Sequence, residues 1–191
     1  MEDSTHIVVI DNWGPPELLR AVDATWPTLN WEYWHKYADS HAVKYGTKDP
    51  DRLPAAAKQI VSLLAEIDLR KHGFSVDVFP DMNLHGAGLH CIPPTGFLGR
   101  HLDGACHPLK PWKREINAVL FVSPWDSAWG GNLYFDDCTL EPKFNRLILF
   151  STTENSYHGV DPVTGPKERR TVSLFWWSHN ETRNRECAEF T

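Results

Sequence analysis

The chain has 191 residues, close to one domain's worth. With 41% apolar and 23% charged residues it has the balance of an ordinary globular protein, which excludes a mainly disordered, collagen-like or coiled-coil chain. A net charge of −6 argues against a nucleic-acid or anionic-membrane binder, and no apolar run reaches the ~18 residues of a transmembrane helix.

His6–Ile10 is a short β-branched run closed by Asp11-Asn12-Trp13-Gly14, the pattern of a strand and a turn. Pro15-Pro16 then opens a helix to about Thr25, with Leu18, Leu19, Val22 and Trp26 at helical spacing. Residues 28–51 show no periodicity and are expected to be irregular. The spacing of Ala56, Ile60, Leu63, Leu64 and Ile67 predicts a helix over residues 53–72, ended by Lys71-His72-Gly73. Beyond Gly73 short apolar runs alternate with turns. They predict strands at Asn83–Cys91, Phe97–Leu102, Ile116–Val122, Asn132–Phe135, Arg146–Phe150, Tyr157–Val160 and Thr171–Trp177. The expected class is α+β: a jelly roll of strands over about 80–180, braced by a helical N-terminal part, 1–73, in a single domain spanning residues 1–191.

The chemistry concentrates at Gly99-Arg100-His101-Leu102-Asp103-Gly104. On a strand, residues i and i+2 share a face, so His101 and Asp103 can reach one point. A second histidine follows in Ser156-Tyr157-His158-Gly159. Two histidines and one carboxylate are the facial ligand set of non-heme iron(II) oxygenases, which leaves open positions opposite the protein ligands. Downstream, Arg169-Arg170-Thr171-Val172-Ser173 offers a planar guanidinium with a hydroxyl two residues on, a pairing suited to a carboxylate. Strand alternation turns only one arginine inward. Arg169 brings Thr171 and Ser173 with it, whereas Arg170 would bring Val172 and Leu174.

Taken in order, H-x-D, the R-x-x-N strand at Arg114 and Asn117, the Trp125-to-Gly131 turn, Phe144-Asn145-Arg146-Leu147, S-Y-H-G and R-R-T resemble the iron(II)- and 2-oxoglutarate-dependent oxygenases, in their prolyl-hydroxylase-like branch. The likeness runs from about Asn83 to Trp177. It implies a double-stranded β-helix with iron held by His101, Asp103 and His158, and 2-oxoglutarate held by Arg169 and Thr171. It implies dioxygen as co-reactant, ascorbate as a possible helper, and hydroxylation of a C–H bond with release of succinate and carbon dioxide. The target it implies is a prolyl or other amino-acid residue, in a peptide or a small amino-acid-like molecule. Where many members carry a tyrosine on the strand after H-x-D, this strand offers Val119, Leu120 and Phe121, so Asn117 or a residue near Cys91 is expected to take its place. The alternative from another class is a non-catalytic jelly-roll module that binds a ligand.

Substrate contacts are expected from His107, Trp112 and Arg114, and residues 28–51 and Gly104–Lys113 are expected to flank the iron mouth. His85 and His90 read as surface or supporting histidines, and Trp176 and Trp177 as residues on opposite strand faces. The opening Met1-Glu2-Asp3-Ser4-Thr5 lacks the basic and apolar regions of a secretory signal, and Cys91, Cys106, Cys138 and Cys187 form no C-x-x-C pair. The expectation is a cytoplasmic chain with its cysteines as thiols.

Overall fold

The apolar runs after Gly73 become strands of two facing antiparallel sheets in the computed structural model, which describes residues 4–74, 77–179 and 188–191. The elements in chain order are β1 (Ile7–Asp11), α1 (Pro16–Ala24), β2 (Trp34–Ala38), β3 (Val43–Thr47), α2 (Ala55–Ala65), β4 (Phe79–Pro80), β5 (Gly88–Ile92), β6 (Leu98–Leu102) and β7 (Lys113–Phe121). They continue with β8 (Leu133–Phe135), β9 (Thr139–Leu140), β10 (Arg146–Ser151), β11 (His158–Val160), β12 (Arg169–Ser178) and β13 (Glu189–Phe190). The larger sheet runs β1-β10-β7-β12-β5-β3-β2, with β4 paired to β12, and the smaller runs β13-β6-β11-β8-β9. This is a jelly roll, a double-stranded β-helix with helices on its outer side.

Alternation along the strands builds two cores. One face of the larger sheet turns Leu120, Leu147, Leu149, Val172 and Leu174 toward Leu19 and Val22 of α1 and Ile60 and Leu64 of α2. The other face turns Ile92, Phe121, Ile148 and Phe150 toward Leu133, Phe135 and Val160 of the smaller sheet. Each of these side chains is at most 6% exposed, so the sheet is covered on both sides. A covered sheet needs long apolar runs rather than half-apolar strands, which is what β7, β10 and β12 have.

Three expectations are corrected. Residues 28–51 are not irregular, because β2 and β3 form a hairpin there and β3 pairs with β5 at the end of the larger sheet. The N-terminal part, expected as helical after one leading strand, therefore also carries a hairpin. The second helix stops at Ala65, and a 3-10 turn over Leu69–His72 follows, closed by Gly73 at φ +85°. Trp176 and Trp177 do not divide between faces. A register shift between them against β7 lets both bury in the helix-side core. Cys187 and Met1–Asp3 lie outside the described residues; Cys91 and Cys138 are free thiols. Among the described residues no helix is long and apolar enough to cross a membrane.

Candidate metal centre

β6 and β11 are neighbours in the smaller sheet, and their register sets His101 opposite His158. Asp103 follows β6 on the same side as His101. The Nε2 atom of His101 lies 3.4 Å from Asp103 Oδ1, and that of His158 lies 3.7 Å from Asp103 Oδ2. Each ring donates its other nitrogen to a backbone carbonyl: His101 Nδ1 to Gly99 O and His158 Nδ1 to Ser156 O, both at 2.9 Å. A carbonyl only accepts, so the proton of each neutral ring sits on Nδ1 and the Nε2 lone pairs are free to face Asp103. That is the outer-shell arrangement that prepares histidine for a metal. Burial pulls His158 down to about 4, so it is neutral at pH 7. Burial opposes the charge on Asp103, yet His158, Arg114 and His101 outweigh it and hold the carboxyl well below the usual carboxylate range. Gly159 is glycine for a local reason, since a Cβ there would run into the Tyr134 hydroxyl and the Leu98 carbonyl of the two flanking strands. Phe190 of β13, which also borders the cavity, stacks on the His101 ring at 5.2 Å.

The three side chains open into a cavity of about 260 Å³ between the sheets. Its far wall is the inner face of β12. Arg169 enters the cavity and is 4% exposed, while Arg170 points to the other side and pairs with Asp23 and Glu168. Arg169 Nε donates to Gly131 O at 2.7 Å and the guanidinium lies over the Phe121 ring. Its Nη2 is buried without a hydrogen-bond partner among the described residues. Burial lowers the guanidinium to about 9, which leaves it charged at pH 7. A buried cation with an unused donor calls for an anion, and a carboxylate offers the matching fork. Thr171 and Ser173 line the same wall. Gly131, at φ +69°, sits where a side chain would crowd this arginine, since a Cβ there would stand only 3.2 Å from Arg169 Cδ.

Asn117 lies beside the metal-ligand candidates, where its Nδ2 donates to Asp103 Oδ2. Its buried Oδ1 is an acceptor, which a carboxylate cannot use, so Asn117 orients Asp103 instead of replacing the missing tyrosine hydroxyl. Arg114 borders the cavity, with Nη1 3.5 Å from Asp103 Oδ2 and its guanidinium over the Phe175 ring. The expectation for His107 and Trp112 is corrected: neither lines the cavity. His107 is buried between Trp112 and Trp177, facing Asp81 and His85, because the loop after Asp103 folds back on β12. Of the two segments expected at the mouth, the hairpin supplies Tyr37, Asp39, Ala42 and Lys44, whereas Gly104–Lys113 supplies none.

Sequence reasoning missed Lys44 and left His90 between a surface and a supporting histidine. Lys44 projects into the cavity with its ammonium 5.0 Å from the Tyr37 ring, and no anion pairs with it among the described residues. Burial lowers its basicity, partly offset by Asp103. Its strand looked structureless, and no local signal marks it. His90 stands opposite Thr171, with Nε2 donating to Gly86 O and Nδ1 facing Ser173 Oγ. Burial, aided by Lys44, pulls its pKa down to about 3. Between pH 6.5 and about 3 the unfolded chain thus binds a proton at this site that the native chain refuses, so stability falls as pH falls through that window. Urea unfolding at pH 7 and pH 5 should show this loss, at most about 2 kcal/mol because pH 5 lies only 1.5 units below 6.5, and His90→Gln should reduce it. Equal slopes in both proteins would remove His90 as the source.

The fold and the site define a class: a jelly roll with two histidines and an aspartate facing a buried arginine across the gap between its sheets. Residues 87–178 match the family model of the 2OG-Fe(II) oxygenase superfamily. Over that stretch the chain is similar to the 2OG-Fe(II) oxygenases. A PKHD-type hydroxylase of Cupriavidus pinatubonensis is 31% identical over 86 residues, which cover 41% of this chain and 36% of that relative. The chain thus matches just over a third of that protein's length. Among solved structures, a Pseudomonas putida prolyl-4-hydroxylase superposes with a TM-score of 0.63 at 23% identity, covering 94% of this chain and 95% of that one. A Trichoplax adhaerens prolyl hydroxylase, solved with a hypoxia inducible factor peptide, gives 0.62 at 18% identity over 90% and 83%. These two likenesses speak for the fold.

Proposed function

We propose that this chain is an iron(II)- and 2-oxoglutarate-dependent dioxygenase that hydroxylates a C–H bond on a prolyl or other amino-acid residue. The observation that carries the reading is the pairing of two imidazoles locked by carbonyls, beside Asp103, with a buried Arg169 whose Nη2 lacks a partner in the same cavity. In this reading His101, Asp103 and His158 hold iron(II), and Arg169 with Thr171 holds the distal carboxylate of 2-oxoglutarate. Iron, dioxygen and 2-oxoglutarate supply the oxidising power, with succinate and carbon dioxide as co-products. The protein's part is to fix the geometry and exclude water. Arg114 and Asn117 steady the Asp103 carboxylate from the side. Cytoplasmic placement and ascorbate as a reducing helper belong to the same reading, and the free thiols of Cys91 and Cys138 support the former.

The substrate enters past the hairpin. Lys44 presents a positive charge there and Asp39 lies at the rim, so the substrate is expected to carry a carboxylate that Lys44 can meet. The test is succinate release from the full chain with iron(II), 2-oxoglutarate and ascorbate, against proline-containing peptides and free amino acids. Turnover that rises with one of these supports the reading, and Lys44→Met should raise that substrate's KM by about tenfold or more. Iron and 2-oxoglutarate binding without any succinate, across the whole set, would favour the non-catalytic module.

A further inference from the structure

A second cluster of two histidines and one aspartate lies outside the cavity. Asp81, just after β4, is 3% exposed. His85 Nδ1 lies 2.9 Å from Asp81 Oδ2, His107 Nε2 lies 3.3 Å from the same oxygen, and the two nitrogens are 3.0 Å apart. No lysine or arginine pairs with Asp81 among the described residues, so this carboxylate is buried with imidazoles alone for counter-charge. Two backbone amides already donate to it, Asn83 N–H to Oδ1 at 2.9 Å and His85 N–H to Oδ2 at 3.0 Å, so what the cluster lacks is a positive charge and not hydrogen bonds.

The closed triangle is the informative feature, because protons cannot satisfy all three of its edges. If both facing nitrogens carry hydrogen, two N–H groups oppose each other at 3.0 Å. If only one does, the lone pair of the other faces the carboxylate. A metal ion accepts all three lone pairs at once. For zinc, with bonds of about 2.0–2.1 Å, neighbouring ligand atoms in a tetrahedron stand roughly 3.3 Å apart, near the edges seen here.

We propose that Asp81, His85 and His107 form a second metal site, separate from the His101 centre, that takes a divalent transition ion of the zinc type. The mixed nitrogen and oxygen donor set fits that class. His85, whose side chain is 29% exposed, leaves a side open for entry and for a fourth ligand such as water. Capture has one local consequence. Leu109 N–H now donates to His107 Nδ1 at 3.1 Å, and a ring bound through Nε2 carries its own proton on Nδ1, so the Leu109 amide must turn away. Leu109 is 72% exposed, so the adjustment falls on a surface turn.

The ion would tie two segments distant in sequence, the turn after β4 and the loop before β7. Gly86 follows the first and Arg114 the second, and both border the cavity. The site is therefore a staple behind one cavity wall, and its existence does not depend on the proposed activity.

The test is zinc content, measured by elemental mass spectrometry on the full chain after chelation, zinc addition and desalting. Zinc fills nitrogen and oxygen sites at least as well as iron(II), so wild type should hold two ions per chain. Asp103→Ala should hold one, and Asp103→Ala combined with His85→Ala none. Cobalt(II) added to Asp103→Ala should give intense tetrahedral absorption bands that the double variant lacks. Zinc bound by Asp103→Ala and lost on adding His85→Ala supports the site whatever happens at the His101 centre. No zinc in Asp103→Ala, or zinc that survives His85→Ala, overturns it. Should the double variant fail to fold, the cobalt spectrum of Asp103→Ala decides: no tetrahedral bands, no site.

Discussion

Asp103→Ala is expected to abolish succinate release and to lower iron(II) affinity by more than about 100-fold. Outer-shell changes alone cost 10–100-fold in metal affinity, and this change removes one of three protein ligands. It also strips Asn117 Nδ2 of its acceptor and Arg114 Nη1 of its nearby carboxylate, so the wall beside the centre loses its organisation. Asp137→Asn, an exposed turn acid, serves as the control. Isothermal titration of iron(II) into anaerobic protein reads the effect, and equal affinity in wild type and Asp103→Ala would sink the metal-centre reading.

The second large effect is expected at Arg169. Removing one member of a buried charge pair costs roughly 3–5 kcal/mol, which is on the order of 10²–10³-fold in affinity. Arg169→Ala should weaken 2-oxoglutarate binding by that factor. Arg170→Ala should change it less than about threefold, because Arg170 is spent on Asp23 and Glu168 on the opposite face. Binding measured with the manganese-loaded protein, which does not turn over, checks both. A reversed order of the two variants would mean that the cavity side of β12 carries the other arginine in solution.

Much of the fold was legible because a sheet covered on both faces writes itself as apolar runs between turns. β7, β10 and β12 are of this kind, and their predicted and observed bounds differ by no more than three residues at either end. The hairpin was not legible. In β2 only Trp34 is buried and the next four residues are exposed, so no apolar alternation marks the strand, and its pairing with β3 is a backbone ladder with lysines laid over the facing tyrosines. β4 contains Pro80, and β13 is two residues long, so neither carries a strand pattern. At the site, His101 and Asp103 were visible through their spacing, and His158 through the motif around it. The Asp81–His85–His107 cluster was hidden, because its members meet only when the loop after Asp103 folds back. His85 also sat in a segment read as strand that is in fact a turn, with Leu84 at φ +54°. Lys44 was hidden for the same reason as its strand.

The two halves of the centre belong to different sheets. The metal-ligand candidates sit on β6, β11 and the residue just after β6, whereas Arg169 and Thr171 sit on β12 of the opposite sheet. Facing sheets pack about 10 Å apart, and here that gap is kept by Phe121, Ile148, Phe150, Leu133 and Phe135. The apolar filling between the sheets thus sets how far the triad stands from the guanidinium, and no loop can adjust it. On the proposed reading it works as a ruler for the dicarboxylate that would bridge them. A keto-diacid one carbon shorter or longer than 2-oxoglutarate would have to leave one end unpaired or force the sheets apart, and close packing resists both. Trimming Phe121 or Phe150 should therefore shift which chain length is accepted.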